Sequence, residues 1–179
     1  MNRYVAFLRG INVGGRTVKM GELKRIMELL GFKNVKTILS SGNVLFDARV
    51  MDAEALAKTI ENALSKAFGF KVSVIVRTDR QIISLIESMP FMNVKTTLHT
   101  KLYVTFIPEW YKPNIRIPYI SKEMDFKILY IKDGAVFSVL ALSPNTGTVD
   151  LMDFLSKEFG REITTRNWNT IERIGKSFD

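Results

Sequence analysis

The chain has no cysteine, which excludes disulfides, thiolate zinc sites and a cysteine nucleophile. It has a single histidine, His99, so chemistry that needs paired imidazoles has no material to work with. No apolar run approaches the roughly 18 residues that a membrane-spanning helix needs. The opening MNRYVAFLRGIN has too short an apolar stretch for a secretory signal and no small-residue cleavage site. A cytoplasmic protein without membrane contact is the expectation. Basic residues never run longer than two together, so a polybasic tail is absent as well.

What is present is ordinary for a globular chain: 179 residues, 46% hydrophobic and 25% charged. The net charge is +8, and it is unevenly spread. Residues 1–90 carry 14 basic and 8 acidic side chains, against 12 and 10 in residues 91–179. An excess in the first half suits an anionic partner, either a phosphorylated small molecule or nucleic acid, although a solvated basic surface has the same composition.

Apolar spacing divides the chain into elements. Residues 3–9 read as a strand, and 20–31 as a helix with Leu23, Ile26, Met27 and Leu30 on one face. Strands follow at 34–39 and 43–47, joined by a turn at SSGN (40–43). Asp52 caps a helix reaching about Phe68, and 71–77 form a fourth strand. The order β-α-β-β-α-β is that of a ferredoxin-like sandwich. Thr78 and Gln81 have the spacing of a capping box for a helix over 79–88, ended by Pro90. Beyond it, strands are expected at 99–107, 126–131 and 135–142, the last two joined at Asp133-Gly134. A loop is expected at 143–148 and helices at 149–159 and after TTRNWNT (164–170). The fold class is therefore α+β: a ferredoxin-like subdomain at 1–78, packed with a second, smaller α+β subdomain at 79–179.

That topology brings two polar loops to one edge. The end of the first strand lies beside the start of the third, so RGINVGG (9–15) and SSGN meet there, while Arg77 falls at the opposite edge. The first strand is largely apolar on both faces, with Tyr4, Ala6 and Leu8 on one and Val5, Phe7 and Arg9 on the other. A sheet exposed on one side would alternate apolar and polar residues. The second half of the chain is expected to cover the open face and to carry TTRNWNT towards the first two loops.

The three segments LRGINVGG, SSGNVLF and TTRNWNT resemble the family known as domain of unknown function 1697, over nearly the whole chain. The resemblance implies two α+β subdomains, the first ferredoxin-like, in a mostly bacterial family. It implies no established activity, cofactor or catalytic residue. Its motif positions fall here on Arg9, Gly10, Asn12, Gly14, Gly15, Ser41, Gly42, Asn43, Arg166, Asn167, Trp168, Asn169 and Thr170.

The chemistry of these residues points to binding more than to reaction. Gly10, Gly14 and Gly15 match neither the dinucleotide fingerprint nor the P-loop. Glycine-rich backbone can still form an anion-binding nest before a helix start, with Arg9 and Arg16 adding charge. The same glycines also serve a plain turn. Ser41 has no neighbouring base, and Asn43 suits hydrogen bonding within the hairpin turn. Arg166 can grip a phosphate, Asn167 and Asn169 can read polar edges, and Trp168 suits a core anchor. No carboxylate or histidine cluster has metal-ligand spacing, and no cofactor is expected. Tyr4, Phe7 and Phe46 sit where RNA-recognition modules stack bases, but the accompanying motif on the third strand is missing.

The expected activity is non-covalent binding of an anionic or phosphorylated small ligand at Arg9, Gly10, Asn12, Gly14, Gly15, Ser41, Gly42, Asn43, Arg166, Asn167, Trp168 and Asn169. Two alternatives stand beside it: single-stranded nucleic-acid binding by the basic first half, and a structural or interaction module without a ligand. Whether a reaction is catalysed stays open at this stage.

Overall fold

The computed structural model describes residues 1–108, 110–142 and 148–178. The expected loop at 143–148 lies, apart from Thr148, outside the described residues. The chain divides into two compact units, Met1–Ser84 with Ile174–Asp179 and Leu85–Arg173.

The first unit contains β1 (Asn2–Arg9), α1 (Met20–Leu29), β2 (Lys33–Ile38), β3 (Asn43–Ala48), α2 (Ala53–Phe68) and β4 (Ser73–Thr78). Its four-stranded sheet has the order β2-β3-β1-β4 with antiparallel neighbours, the ferredoxin-like arrangement. Tyr4, Ala6 and Leu8 of β1 join Phe46 of β3 and Val74 of β4 in one core with Leu23, Met27, Leu56, Ile60 and Leu64 of the two helices. Helical spacing put those residues on one stripe, and the stripe is the buried face. The other sheet face is buried too, at Val5, Phe7, Leu45 and Ile75. A base-stacking surface of the RNA-recognition kind is therefore not exposed on this sheet, and Tyr4, Phe7 and Phe46 are core residues.

Local signals set the element ends. Asp52 accepts a hydrogen bond from Ala55 N at 2.9 Å and caps α2, and Gly69 ends the helix in the left-handed conformation. Thr78 and Gln81 form a reciprocal capping box at the start of α3 (Asp79–Glu87). Gln81 N donates to Thr78 Oγ1 at 3.1 Å, and Thr78 N donates to Gln81 Oε1 at 2.9 Å.

The second unit holds β5 (Thr100–Phe106), β6 (Tyr119–Ile120), β7 (Phe126–Lys132), β8 (Ala135–Ala141), α4 (Thr148–Phe159) and β9 (Thr164–Asn167). α5 (Trp168–Gly175) begins in this unit. The five-stranded sheet has the order β6-β7-β8-β5-β9. Asp133 and Gly134 both adopt positive φ and make the tight β7–β8 turn. Two of these strands, β6 and β9, exceed the three that apolar alternation indicates for this half. β6 is two residues long beside a proline, and β9 is the polar run Thr-Thr-Arg-Asn. β9 is a strand because the free edge of β5 accepts it, pairing Tyr103 with Asn167 and Phe106 with Thr164.

Candidate functional site

The first two motifs meet, as the topology requires. Phe7 pairs with Asn43, and Leu8 N donates to Gly42 O at 2.8 Å. Asn12 ties the loops together: its Nδ2 donates to Ser40 O at 2.7 Å, and its Oδ1 accepts from Val18 N at 2.8 Å. Gly42 is there because of close approach. A Cβ at this position would lie 2.8 Å from Ile11 Cδ1 and 3.0 Å from Leu8 Cβ. Asn43 is fully buried and closes the hairpin by donating to Ile38 O at 2.9 Å and to Ser41 Oγ at 3.0 Å. The amides of Asn12 and Asn43 thus hold the loops in shape.

The outer part of the loop is different. Gly10, Asn12, Gly14 and Gly15 all have positive φ, from 53° to 81°. Asn12, Val13, Gly14, Gly15 and Arg16 are exposed, and nothing lies within 4 Å of a Cβ built on Gly14 or Gly15. Packing gives no reason for those two glycines, but the turn does: Arg16 N donates to Val13 O at 3.1 Å, and both central residues, Gly14 and Gly15, have positive φ. α1 then starts at Met20, and its N-cap Lys19 gives no side-chain cap; Glu22 N and Leu23 N donate to Lys19 O, both at 3.1 Å.

Charge collects at this edge. The end of β1 brings Arg9, the loop Arg16, the start of α1 Lys19, the end of α2 Lys66 and the approach to β4 Lys71. Arg9 pairs along the sheet with Ser73, while Arg77 pairs with Val5 at the far end. Arg16, Lys19, Lys66 and Lys71 are exposed and Arg9 is half-buried. Glu22 lies in the first turn of α1, and the Glu61 carboxylate accepts from Val74 N at 2.8 Å and lies 4.0 Å from Lys58 Nζ; Arg9 and Lys71 have interaction partners of their own. The Arg16 guanidinium rests on the Phe70 ring, 4.9 Å from its centroid. Phe70, Lys66 and Lys71 escaped the sequence reading. The Gly-Phe-Lys run after α2 was the signal that could have found them, once α2 was known to end at this edge.

At the opposite edge of the same unit lies a cavity of about 550 Å³, lined in part by Arg3, Asp47, Thr78, Asp79 and Phe178. Its principal charges answer one another. Arg3 Nε meets Asp47 Oδ1 at 2.9 Å, and Arg3 Nη1 donates to Phe178 O at 2.8 Å. The hydrogen bond from Arg3, followed by that from Asn34, holds the Asp47 carboxyl below its ordinary range against the opposing effect of burial.

The third motif belongs to the second unit. Arg166 is buried on β9, where Nη1 donates to Thr164 Oγ1 at 2.7 Å and to Thr165 O at 2.9 Å. Burial pulls its guanidinium down to about 10. Trp168 is nearly buried at the start of α5 and packs edge-on against Phe91 at 5.2 Å, which in turn meets Phe137 of β8. Asn167 and Asn169 are exposed. Among the described residues no group of three His, Cys, Asp or Glu gathers to hold a metal, and no helix is long and apolar enough to cross a membrane.

The family described as "Protein of unknown function (DUF1697)" matches residues 1–137. Among solved structures, the chain is similar to conserved bacterial protein SP0830 from Streptococcus pneumoniae, with a TM-score of 0.75. The two sequences are 23% identical, and the match covers 99% of this chain and 98% of that one. At that identity the likeness establishes the fold. No curated protein matches.

Proposed function

The chain belongs to the protein-of-unknown-function family DUF1697, and we propose for it the non-covalent binding of an anionic, phosphorylated small ligand at the edge formed by RGINVGG and SSGN. The observation that carries this reading is the gathering of Arg9, Arg16, Lys19, Lys66 and Lys71 around an exposed loop whose backbone is left-handed at four positions. Successive backbone N–H groups in a turn can form an anion-binding nest, and positive side chains around it favour an anion. In this reading Gly14 and Gly15 supply backbone donors, and Arg9 and Arg16 supply charge. Asn12, Ser41, Gly42 and Asn43 fix the shape of the two loops. The third motif contributes through its own unit: Asn167 and Asn169 are its accessible polar groups, and Arg166 holds β9 in order.

Equilibrium titration with inorganic pyrophosphate and ribose 5-phosphate tests the reading. Saturable binding is expected, weakened about tenfold by Arg9→Ala or Arg16→Ala, a loss of about 1.4 kcal/mol. A ligand at about 100 times its dissociation constant also stabilises the fold by about 2.7 kcal/mol, visible as a rise of the melting temperature. Unchanged affinity in both arginine variants refutes the site. Binding of oligonucleotides alone, with a steep loss as salt rises, replaces it by the nucleic-acid alternative.

A further inference from the structure

The loop edge holds one feature that anion binding by itself does not need, the placement of the Arg16 guanidinium over the Phe70 ring. The Arg16 guanidinium carbon lies 4.9 Å from the ring centroid, and Phe70 stacks in turn on Phe68 at 6.0 Å with an interplanar angle of 22°. Arg16 Nη1 also lies 3.7 Å from where a Cβ on Gly10 would be, so the guanidinium rests against bare loop backbone. No carboxylate lies within ion-pair distance of Arg16 among the described residues. The group is thus oriented by an aromatic ring and a glycine while remaining exposed. A guanidinium held in this way has two uses. Its N–H edge meets phosphate oxygens, and its plane offers a stacking surface for a second flat ring. Lysine would serve the first use as a point charge and could not serve the second.

We infer that the ligand of this edge is a nucleoside phosphate, its base stacked at Arg16 and its phosphate held by the loop backbone with Arg9 and Lys71. The inference rests on the anion-binding reading above and adds the base to it. The chemistry is shared by a free nucleotide and by the end of a single strand, and the test separates them.

The whole chain is titrated with adenosine monophosphate, ribose 5-phosphate and a short single-stranded oligonucleotide, each at low and at moderate salt. Adenosine monophosphate is expected to bind about tenfold more tightly than ribose 5-phosphate, within the range that stacking of one base supplies. Arg16→Lys, an exposed change that keeps the charge, is expected to remove that preference, so that adenosine monophosphate and ribose 5-phosphate bind the variant equally. Tighter binding of the oligonucleotide than of the mononucleotide, with the same Arg16 dependence, identifies a strand end as the source. Equal affinity for adenosine monophosphate and ribose 5-phosphate overturns the base and leaves the anion site standing. An unchanged preference in Arg16→Lys also overturns the inference. Binding of none of the three overturns both readings.

Discussion

Replacing Gly42 by alanine measures how firmly the two loops of the first unit are joined. Gly42 has φ +79°, a conformation that costs a residue with a side chain roughly 1–2 kcal/mol. The added methyl would also stand 2.8 Å from Ile11 Cδ1, 3.1 Å from Ile11 Cγ1 and 3.0 Å from Leu8 Cβ. The Ile11 methyl can rotate aside. Leu8 Cβ cannot, because it is fixed to the β1 backbone, whose N–H at that residue is bonded to Gly42 O at 2.8 Å. Overpacking of this kind adds about 1–3 kcal/mol. The sum for Gly42→Ala is a destabilisation of about 2–5 kcal/mol. Gly14→Ala and Gly15→Ala serve as matched controls. They share the positive φ but meet nothing within 4 Å, so each should lose only the conformational term, about 1 kcal/mol. Urea unfolding of the three variants beside the wild type provides the comparison. If Gly42→Ala loses no more than the controls, the loops are not packed as described and the reasoning fails.

Three further outcomes are expected. Ser138 Oγ is buried with no hydrogen-bond partner, so Ser138→Ala should leave stability unchanged or raise it by up to about 1–2 kcal/mol in urea unfolding; a clear loss would reveal a partner. Asp47, held below its ordinary range by Arg3, contributes stability that is present above the unfolded value of about 3.9 and is lost as pH falls through the lower folded value. The stability gap between wild type and Asp47→Asn should accordingly hold steady above about pH 5 and shrink below about pH 4, and a gap without pH dependence would refute the pairing. In Arg166→Lys, the burial that brings the arginine to about 10 should also hold the lysine below its unfolded value of about 10.4. The unfolded state then binds the extra proton, so the variant should gain stability relative to wild type as pH rises towards about 9.5, and a constant difference would mean that the position is solvated.

The parts of the fold that were legible in the sequence are those decided locally. The capping box at Thr78 and Gln81, the cap at Asp52 and the turn at Asp133-Gly134 each depend on neighbours within a few residues. The helical stripes of α1 and α2 were legible for the same reason. β9 was not, because Thr164–Asn167 shows no apolar alternation and reads as the approach to a helix; its strand character comes from the edge of β5, about 60 residues away in sequence. β6, only two residues long, carries too little pattern to detect. The meeting of RGINVGG and SSGN followed from topology alone. Arg16 on Phe70 did not, since it depends on where α2 ends and how Gly69 turns the chain.

The motif residues at the loop edge fall into two groups with different physical demands. Asn12, Gly42 and Asn43 are explained by the protein itself: each makes a hydrogen bond or permits a close contact that the two loops need. Gly14 and Gly15 form the turn that Arg16 N closes on Val13 O at 3.1 Å, but a Cβ on either would meet nothing, and Arg16 has no carboxylate among the described residues. Asn12 holds a left-handed φ of 53° with a side chain in place, so left-handed geometry alone does not force glycine at 14 and 15. What glycine adds over asparagine there is an unobstructed backbone. Glycine there costs chain entropy, and its missing side chain gives the fold no packing contact in return. In the reading proposed above a bound anion would supply that contact, and the separation of the two groups makes the reading testable. Gly14→Asn should preserve stability and weaken anion binding, whereas a loop that is only a connector would lose neither.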